Sequence, residues 1–140
     1  MTLWILDTDH LSLLQRGHPV VGQRIRNISV DDIAITIISA EEQLYGRLNL
    51  IRRSKSPETL MRAYQWLQET LDDFKKTNIL DFNTQAISLY QELLNQKIRI
   101  GTQDLRIAAI TLSVNGILVT RNQRDFAKVP NLAFEDWSVS

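Results

Sequence analysis

The chain has 140 residues, with 16 basic and 16 acidic side chains and no cysteine. Its length predicts one domain over residues 1–140, and the lack of cysteine excludes disulfides and thiolate-bound metals. The balanced charge neither favours nor excludes nucleic-acid binding. Because the sequence shows no basic leader and no apolar run near ~18 residues, we predict a cytoplasmic protein without membrane contact.

The hydrophobic pattern predicts strands that alternate with helices. Continuous β-branched runs are typical of strands covered on both faces, whereas apolar residues three and four positions apart indicate helices. In chain order, we predict a strand over 3–6, helices over 9–15 and 19–28, a strand over 33–38, helices over 39–53 and 57–76, a strand over 79–80, helices over 84–96 and 102–115, and strands over 116–120 and 132–134.

This order of elements predicts an α/β fold, a three-layer α/β/α sandwich around a mostly parallel sheet of about five strands, because no hairpin signal joins the strands. Gly116 is expected to occupy the C′ position of the helix before it. The long helix over 57–76 carries an apolar stripe that is expected to face the core. The stripe consists of Leu60, Tyr64, Leu67, Leu71 and Phe74.

Four acidic side chains from distant segments are expected at one edge of the sheet. Asp7 and Glu42 follow the first two predicted strands, Asp125 follows the strand over 116–120, and Asp104 begins a helix. Ligands of open parallel sheets bind beyond the carboxyl ends of the strands, so these acids are expected to converge there.

A cluster of carboxylates predicts a bound cation, since two of them ~4 Å apart repel each other by about 4 kcal/mol at an effective dielectric of 20. Oxygen donors suit Mg²⁺, with Mn²⁺ as the alternative, and such an ion can activate water to hydrolyse a phosphodiester. His10 and His18 are expected to be structural or surface groups. Each acid also has a structural explanation as a helix cap or dipole partner; Ser39 and Glu42, for example, have the spacing of a capping box.

Four stretches of the chain resemble, in order, the conserved blocks of the PIN-domain ribonucleases, and within them the VapC-type toxins of type II toxin–antitoxin systems. The stretches are ILDTDHLSLL, ISAEEQLYG, IGTQDLRIAAITL and LVTRNQRDFAKVPNLAFEDW. The second block selects Glu42, four residues before Gly46, over Glu41. Asp9 stands where the family commonly has Asn, which adds charge beside the site.

The resemblance implies a Mg²⁺-dependent endoribonuclease that cleaves RNA by metal-activated water, forms a homodimer and is inhibited by a small cognate antitoxin protein. It implies that the catalytic and metal-binding residues are Asp7, Glu42, Asp104 and Asp125. The supporting residues are expected to be Asp9, Thr120 and Asn122, and the RNA backbone is expected to contact Arg47, Arg52 and Arg53. The helical pair from Pro57 to Arg99 is the candidate dimer surface, with Tyr64, Trp66 and Phe74 as anchors.

Other functions remain open from the residues. The same acid cluster would suit a DNA or structure-specific nuclease, or a non-catalytic module that binds nucleic acid or protein. The D-x-D of Asp7 and Asp9 suggests a phosphatase of the haloacid dehalogenase type. Against it, Leu11 stands where that class has a smaller or hydroxylated residue, and no predicted strand is followed by a lysine placed at the sheet edge.

Overall fold

Five parallel strands form the central sheet of the protein, which a computed structural model describes over residues 2–139. Their order across the sheet is β3-β2-β1-β4-β5. The strands are β1 (Trp4–Leu6), β2 (Ile33–Thr36), β3 (Ile79–Leu80), β4 (Ile117–Val119) and β5 (Ala133–Glu135). The predicted α/β fold is confirmed, although β1 begins one residue later than predicted, β4 is one residue shorter at each end, and β5 is shifted by one residue toward the C-terminus.

Helices cover both faces of this sheet. They are α1 (Thr8–Gln15), α2 (Pro19–Arg26), α3 (Ile37–Arg53), α4 (Pro57–Lys75), α5 (Thr84–Asn95), α6 (Thr102–Ser113) and α7 (Gln123–Phe126), with a 3₁₀ turn at Val30–Asp32. One buried cluster joins the sheet to α5 and α6, and a second joins it to α1, α2 and the C-terminal Trp137. None of the helices within residues 2–139 is long and apolar enough to cross a membrane.

The boundary between β2 and α3 differs from the prediction. The strand was expected to run to Ile38 and the helix to begin at Ser39, but the strand ends at Thr36. The hydroxyl of Thr36 accepts a 3.1 Å hydrogen bond from the backbone N–H of Ser39, and this cap starts the helix early. Glu42 therefore lies beyond the first turn, and the capping-box explanation for it is wrong.

Gly116 also plays a different part from the predicted one. The left-handed residue after α6 is Asn115, with φ +52°, whereas Gly116 lies against β1. A Cβ at Gly116 would stand 2.6 Å from Cδ1 of Ile5 and 3.2 Å from the carbonyl oxygen of Leu3. A glycine fits here because β1 passes close to its Cα, and not because its own backbone angles require one.

The apolar stripe of α4 is largely exposed, contrary to the prediction. Tyr64 is 55% exposed and Leu71 is 41% exposed, and the buried residues of the helix are the smaller Ala63 and Thr70. Phe74 does pack against the core. On α5, the large apolar residues Ile87 and Leu94 are likewise exposed, whereas Ala86 and Leu93 are buried. Amphipathic spacing identified the apolar faces, but tertiary packing left part of them uncovered in the single chain.

Candidate functional site

An acidic cleft lies at the carboxyl edge of the sheet, where β1, β2 and β4 end side by side. It has a volume of about 270 Å³. Its lining is entirely polar and includes no lysine or arginine, and it consists of Asp7, Thr8, Asp9, Glu42, Asp104 and Asn122. Residues from four distant segments of the chain therefore meet at the edge at which the sequence placed them.

Asp7 is held rigidly between the sheet and α1. Its backbone N–H donates to the carbonyl of Val119 on β4 over 3.0 Å, and its Oδ1 accepts a 2.8 Å hydrogen bond from the backbone N–H of His10. This second bond caps α1, so the structural explanation for Asp7 is correct. Capping uses one carboxylate oxygen, and Asp7 still lines the cleft.

Thr8 connects α1 to α3 beside the cleft. Its hydroxyl donates a 2.7 Å hydrogen bond to Oε1 of Glu42, and it lies 3.0 Å from the hydroxyl of Ser39. The short bond to an ionised acceptor fixes the rotamer of Glu42. The sequence interpretation missed Thr8 and Ser39 as site residues, although hydroxyl groups next to the acids at the two strand ends were the signal that would have identified them.

Glu41 points to a different partner. Its Oε1 accepts a 2.9 Å hydrogen bond from the side-chain amide of Gln103, outside the acidic cleft. The structure thus separates the two adjacent glutamates, and Glu42 is the one that lines the cleft.

Asp104, in the first turn of α6, has the most perturbed carboxyl group of the cleft. Its pKa is raised from 3.8 to about 6. The main cause is partial burial, which removes water from the charged form, and the further causes are like charges. Those charges, in order of effect, are Glu42, Asp7, Asp125 and Asp9.

Asp125 stands at the edge of the acidic cleft and does not line it. Its Oδ2 accepts a 3.0 Å hydrogen bond from the amide of Asn122, and its Oδ1 lies 3.6 Å from Nζ of Lys128. The pKa of Asp125 is lowered, chiefly by the bond from Asn122 and further by the charge of Lys128. Thr120 is fully buried, and its hydroxyl accepts from the backbone N–H of Asn122 over 2.9 Å, which shapes the turn that carries Asn122.

The three arginines singled out in the sequence lie away from the cleft. Arg47 stacks 3.8 Å above the Trp66 ring and donates to the hydroxyl of Thr70 over 2.9 Å, so its guanidinium is held against α4. Arg52 and Arg53 are exposed in the last turn of α3, and Arg53 lies ~16 Å along the helix from Glu42 at 1.5 Å per residue.

The donor set fits a hard divalent cation, because the cleft offers carboxylate, hydroxyl and amide oxygens only. Like charges also add to the burial that raises the pKa of Asp104, and a bound cation would offset that repulsion. Among residues 2–139, no group of three or more His, Asp or Glu side chains is arranged so that it could hold a metal ion by itself. Mg²⁺ keeps several waters and takes one or two carboxylates directly, so it does not need three of these acids as direct ligands.

Comparison with known proteins gives relatives over the full length. The chain is 36% identical to ribonuclease VapC2 of Rickettsia felis, over 96% of this chain and 98% of that protein. It is 26% identical to the tRNA(fMet)-specific endonuclease VapC of Salmonella typhimurium, over 98% and 99%. The solved structure of VapBC-1 from nontypeable Haemophilus influenzae matches with a TM-score of 0.74 and 27% identity, over 99% of this chain and 100% of that one. No protein-family model matches the chain.

Proposed function

This chain belongs to the VapC-type toxins of the PIN-domain ribonucleases, and on that premise we propose that it is a Mg²⁺-dependent endoribonuclease and the toxin of a toxin–antitoxin pair. The observation that carries the proposal is the convergence of four carboxylates, those of Asp7, Asp9, Glu42 and Asp104, from distant segments in one cleft whose lining includes no lysine or arginine. Such a set of oxygen donors is suited to hold a cation there, and the like charges around Asp104 add to the burial that raises its pKa.

The side chains of this cleft have separable roles in the proposal. Mg²⁺, when bound, would polarise the phosphodiester and lower the pKa of its water for attack on phosphorus. Asp7, Glu42 and Asp104 would hold the ion directly or through water, and Thr8 would keep Glu42 in place through its 2.7 Å hydrogen bond. Asn122 would orient Asp125, which completes the set from the edge.

RNA would follow the surface that leads from the cleft along α3. Arg52 and Arg53 are exposed there and can pair with backbone phosphates. Arg47 is a weaker candidate than the sequence suggested, because stacking on Trp66 and a hydrogen bond to Thr70 already engage its guanidinium.

An antitoxin partner is supported by the solved relatives, since VapBC names a family of toxin–antitoxin systems. This chain carries an apolar cleft of about 390 Å³ on α3, directly beside Glu41. Exposed side chains of Ile37, Tyr45 and Leu48 contribute to it. We propose that the antitoxin covers this surface and the neighbouring acidic cleft together.

The adjacent glutamates give the proposed function a matched test. We expect Glu42→Gln to lower RNA cleavage by on the order of 100-fold, because it removes a carboxylate that faces the cleft. Glu41→Gln, one residue away, should cleave like the parent, because Glu41 bonds to Gln103 outside the cleft. Cleavage of a labelled RNA panel with Mg²⁺ or EDTA measures both effects.

The panel should include initiator tRNA, because the Salmonella relative is named for it, together with single-stranded and flap DNA. Equal losses in the two variants, or full activity in EDTA, would contradict the proposed metal-dependent site. Equal or faster cleavage of DNA would favour the DNA or structure-specific nuclease over the ribonuclease.

A further inference from the structure

His10 is a fully buried imidazole in contact with Asp7. Its Nδ1 lies 3.4 Å from Oδ1 of Asp7, and its Nε2 accepts a 3.2 Å hydrogen bond from the backbone N–H of Trp137. Trp137 is itself fully buried, and its ring packs against Trp4 with centroids 5.4 Å apart. The imidazole thus links the C-terminal segment to the carboxylate at the end of β1.

The hydrogen bond at Nε2 determines where the imidazole carries its proton. A ring nitrogen that accepts from Trp137 must have a free lone pair, so neutral His10 carries its proton on Nδ1. Oδ1 of Asp136 also lies 3.5 Å from Nε2, but that oxygen already accepts bonds of 2.8 and 2.6 Å from Ser138. Nδ1 has no hydrogen-bond partner in the part of the chain that the structure describes, and the acceptor that it faces is Asp7.

A polar ring in this position needs an explanation, because burying an unpaired N–H group is costly. An apolar side chain of similar volume would fill the space without that cost. Both ring nitrogens would have partners if Nε2 accepts from Trp137 and Nδ1 donates to Oδ1 of Asp7, which lies 3.4 Å away.

We propose that His10 is a positioning residue, whose Nδ1–H donates to Asp7 and fixes which carboxylate oxygen faces the cleft. Oδ1 of Asp7 already accepts from the backbone N–H of His10, so the imidazole holds that same oxygen. Oδ2, for which residues 2–139 supply no donor, is left for the cation. The inference rests on the proposed function, in which Asp7 holds the ion.

Two amide substitutions separate the two contacts of the imidazole. The amide of Asn overlays the Nδ1 position, so His10→Asn keeps a donor to Asp7 and loses the acceptor for Trp137. The amide of Gln overlays the Nε2 position, so His10→Gln keeps the acceptor and loses the donor. Both variants replace the ring by a smaller side chain and give up one of its two contacts, so we expect each to unfold at a lower temperature than the parent.

Mn²⁺ binding, followed by electron paramagnetic resonance of the free ion, then distinguishes positioning from packing. We expect His10→Gln to bind Mn²⁺ about 10-fold more weakly than the parent, as removal of a hydrogen bond to a metal-binding carboxylate does elsewhere. His10→Asn should bind Mn²⁺ within about threefold of the affinity of the parent, although its thermal stability should fall as much as that of His10→Gln. Equal affinity in all three proteins, or equal losses in both variants, would overturn the proposal.

The tautomer gives a second readout that needs neither metal nor activity. Long-range ¹H–¹⁵N correlation at neutral pH should show a protonated Nδ1 and an unprotonated Nε2 for His10, and the opposite assignment would overturn the proposal. If the parent binds no Mn²⁺ at all, the proposed function fails instead, and this spectrum still decides whether the hydrogen bond to Asp7 exists.

Discussion

At the scale of single residues, Asp104 is the acid of the cleft whose pKa responds most to its surroundings. Partial burial and four neighbouring carboxylates raise its pKa to about 6. The sign of its effect on stability follows from linkage. Between pH ~4 and ~6 the folded protein holds a proton that the unfolded chain has released, so the unfolding free energy falls as pH rises through that window.

We therefore predict that Asp104→Asn stabilises the metal-free protein while it impairs the proposed activity. At pH 7 in EDTA, the gain should be roughly 1 kcal/mol, a value reduced for solvent screening because the group is only half-buried. RNA cleavage with Mg²⁺ should fall by on the order of 100-fold. Urea unfolding at pH 4.5 and pH 7 measures the first effect.

Asp31→Asn is the control, because Asp31 is exposed before β2 at the opposite edge of the sheet. It should change the unfolding free energy by less than about 0.5 kcal/mol at either pH. If the unfolding free energies of the parent and of Asp104→Asn changed by the same amount between pH 4.5 and pH 7, the pKa of Asp104 would not be raised in the folded protein.

Between elements, β4 and β1 approach each other closely at Gly116, the residue before β4. Gly116 leaves room for Cδ1 of Ile5, and a larger residue there would push this side chain aside and crowd the carbonyl oxygen of Leu3. The register of β4 against β1 sets the relative positions of Asp7 and Asn122, since each follows the end of one of these two strands. The packing of one glycine thus supports the geometry of the cleft.

We predict that Gly116→Ala lowers the unfolding free energy by about 1–3 kcal/mol, because the added methyl overlaps Cδ1 of Ile5. In an Ile5→Val background, which lacks that atom, the cost should be smaller by at least about 0.5 kcal/mol. It should not vanish, because the carbonyl oxygen of Leu3 remains 3.2 Å away. Urea unfolding of the four proteins in the double-mutant cycle measures the coupling.

Gly46→Ala is the matched control on α3, where an added Cβ meets no atom within 4 Å. It should stabilise the helix by roughly 0.5–1 kcal/mol. Additive costs for Gly116→Ala and Ile5→Val would contradict the proposed clash.

At the scale of the whole molecule, the exposed face of α4 is the largest departure from the sequence-based expectation. The stripe was expected to be core, and Leu60, Tyr64 and Leu71 are each at least 40% exposed. Phe74, named as a dimer anchor, packs against the core of its own chain, so Tyr64 and Trp66 remain as candidate anchors. An apolar face on this scale is typical of an interaction surface, and homodimerisation remains our prediction for it.

We predict that light scattering gives a mass of twice 16.2 kDa at micromolar concentration, and that Tyr64→Glu halves it. The substitution buries a charge only in the dimer, so the unfolding free energy of the isolated chain should change by less than about 0.5 kcal/mol. Val30→Glu, at a residue that is 75% exposed elsewhere on the surface, should leave the mass unchanged. A parent protein that is monomeric at this concentration would contradict the prediction.

The order and type of the elements, and the acids that follow the strands, were predictable from the amino-acid sequence alone. These depend on local signals: β-branched runs, helical spacing, and caps such as that at Ser56. Parallel strands bring their carboxyl ends to one edge, so the convergence of Asp7, Glu42 and Asp104 was predictable before any coordinates.

The contacts between distant segments became visible only in the folded molecule. It placed the Thr8 hydroxyl on Glu42, set Asp125 at the edge of the cleft, and brought Trp137 to His10, 127 positions away in the chain. It also left the α4 stripe uncovered, because periodicity identifies an apolar face without identifying what packs on it. Such contacts depend on packing between elements, and no local pattern of residues encodes the partner.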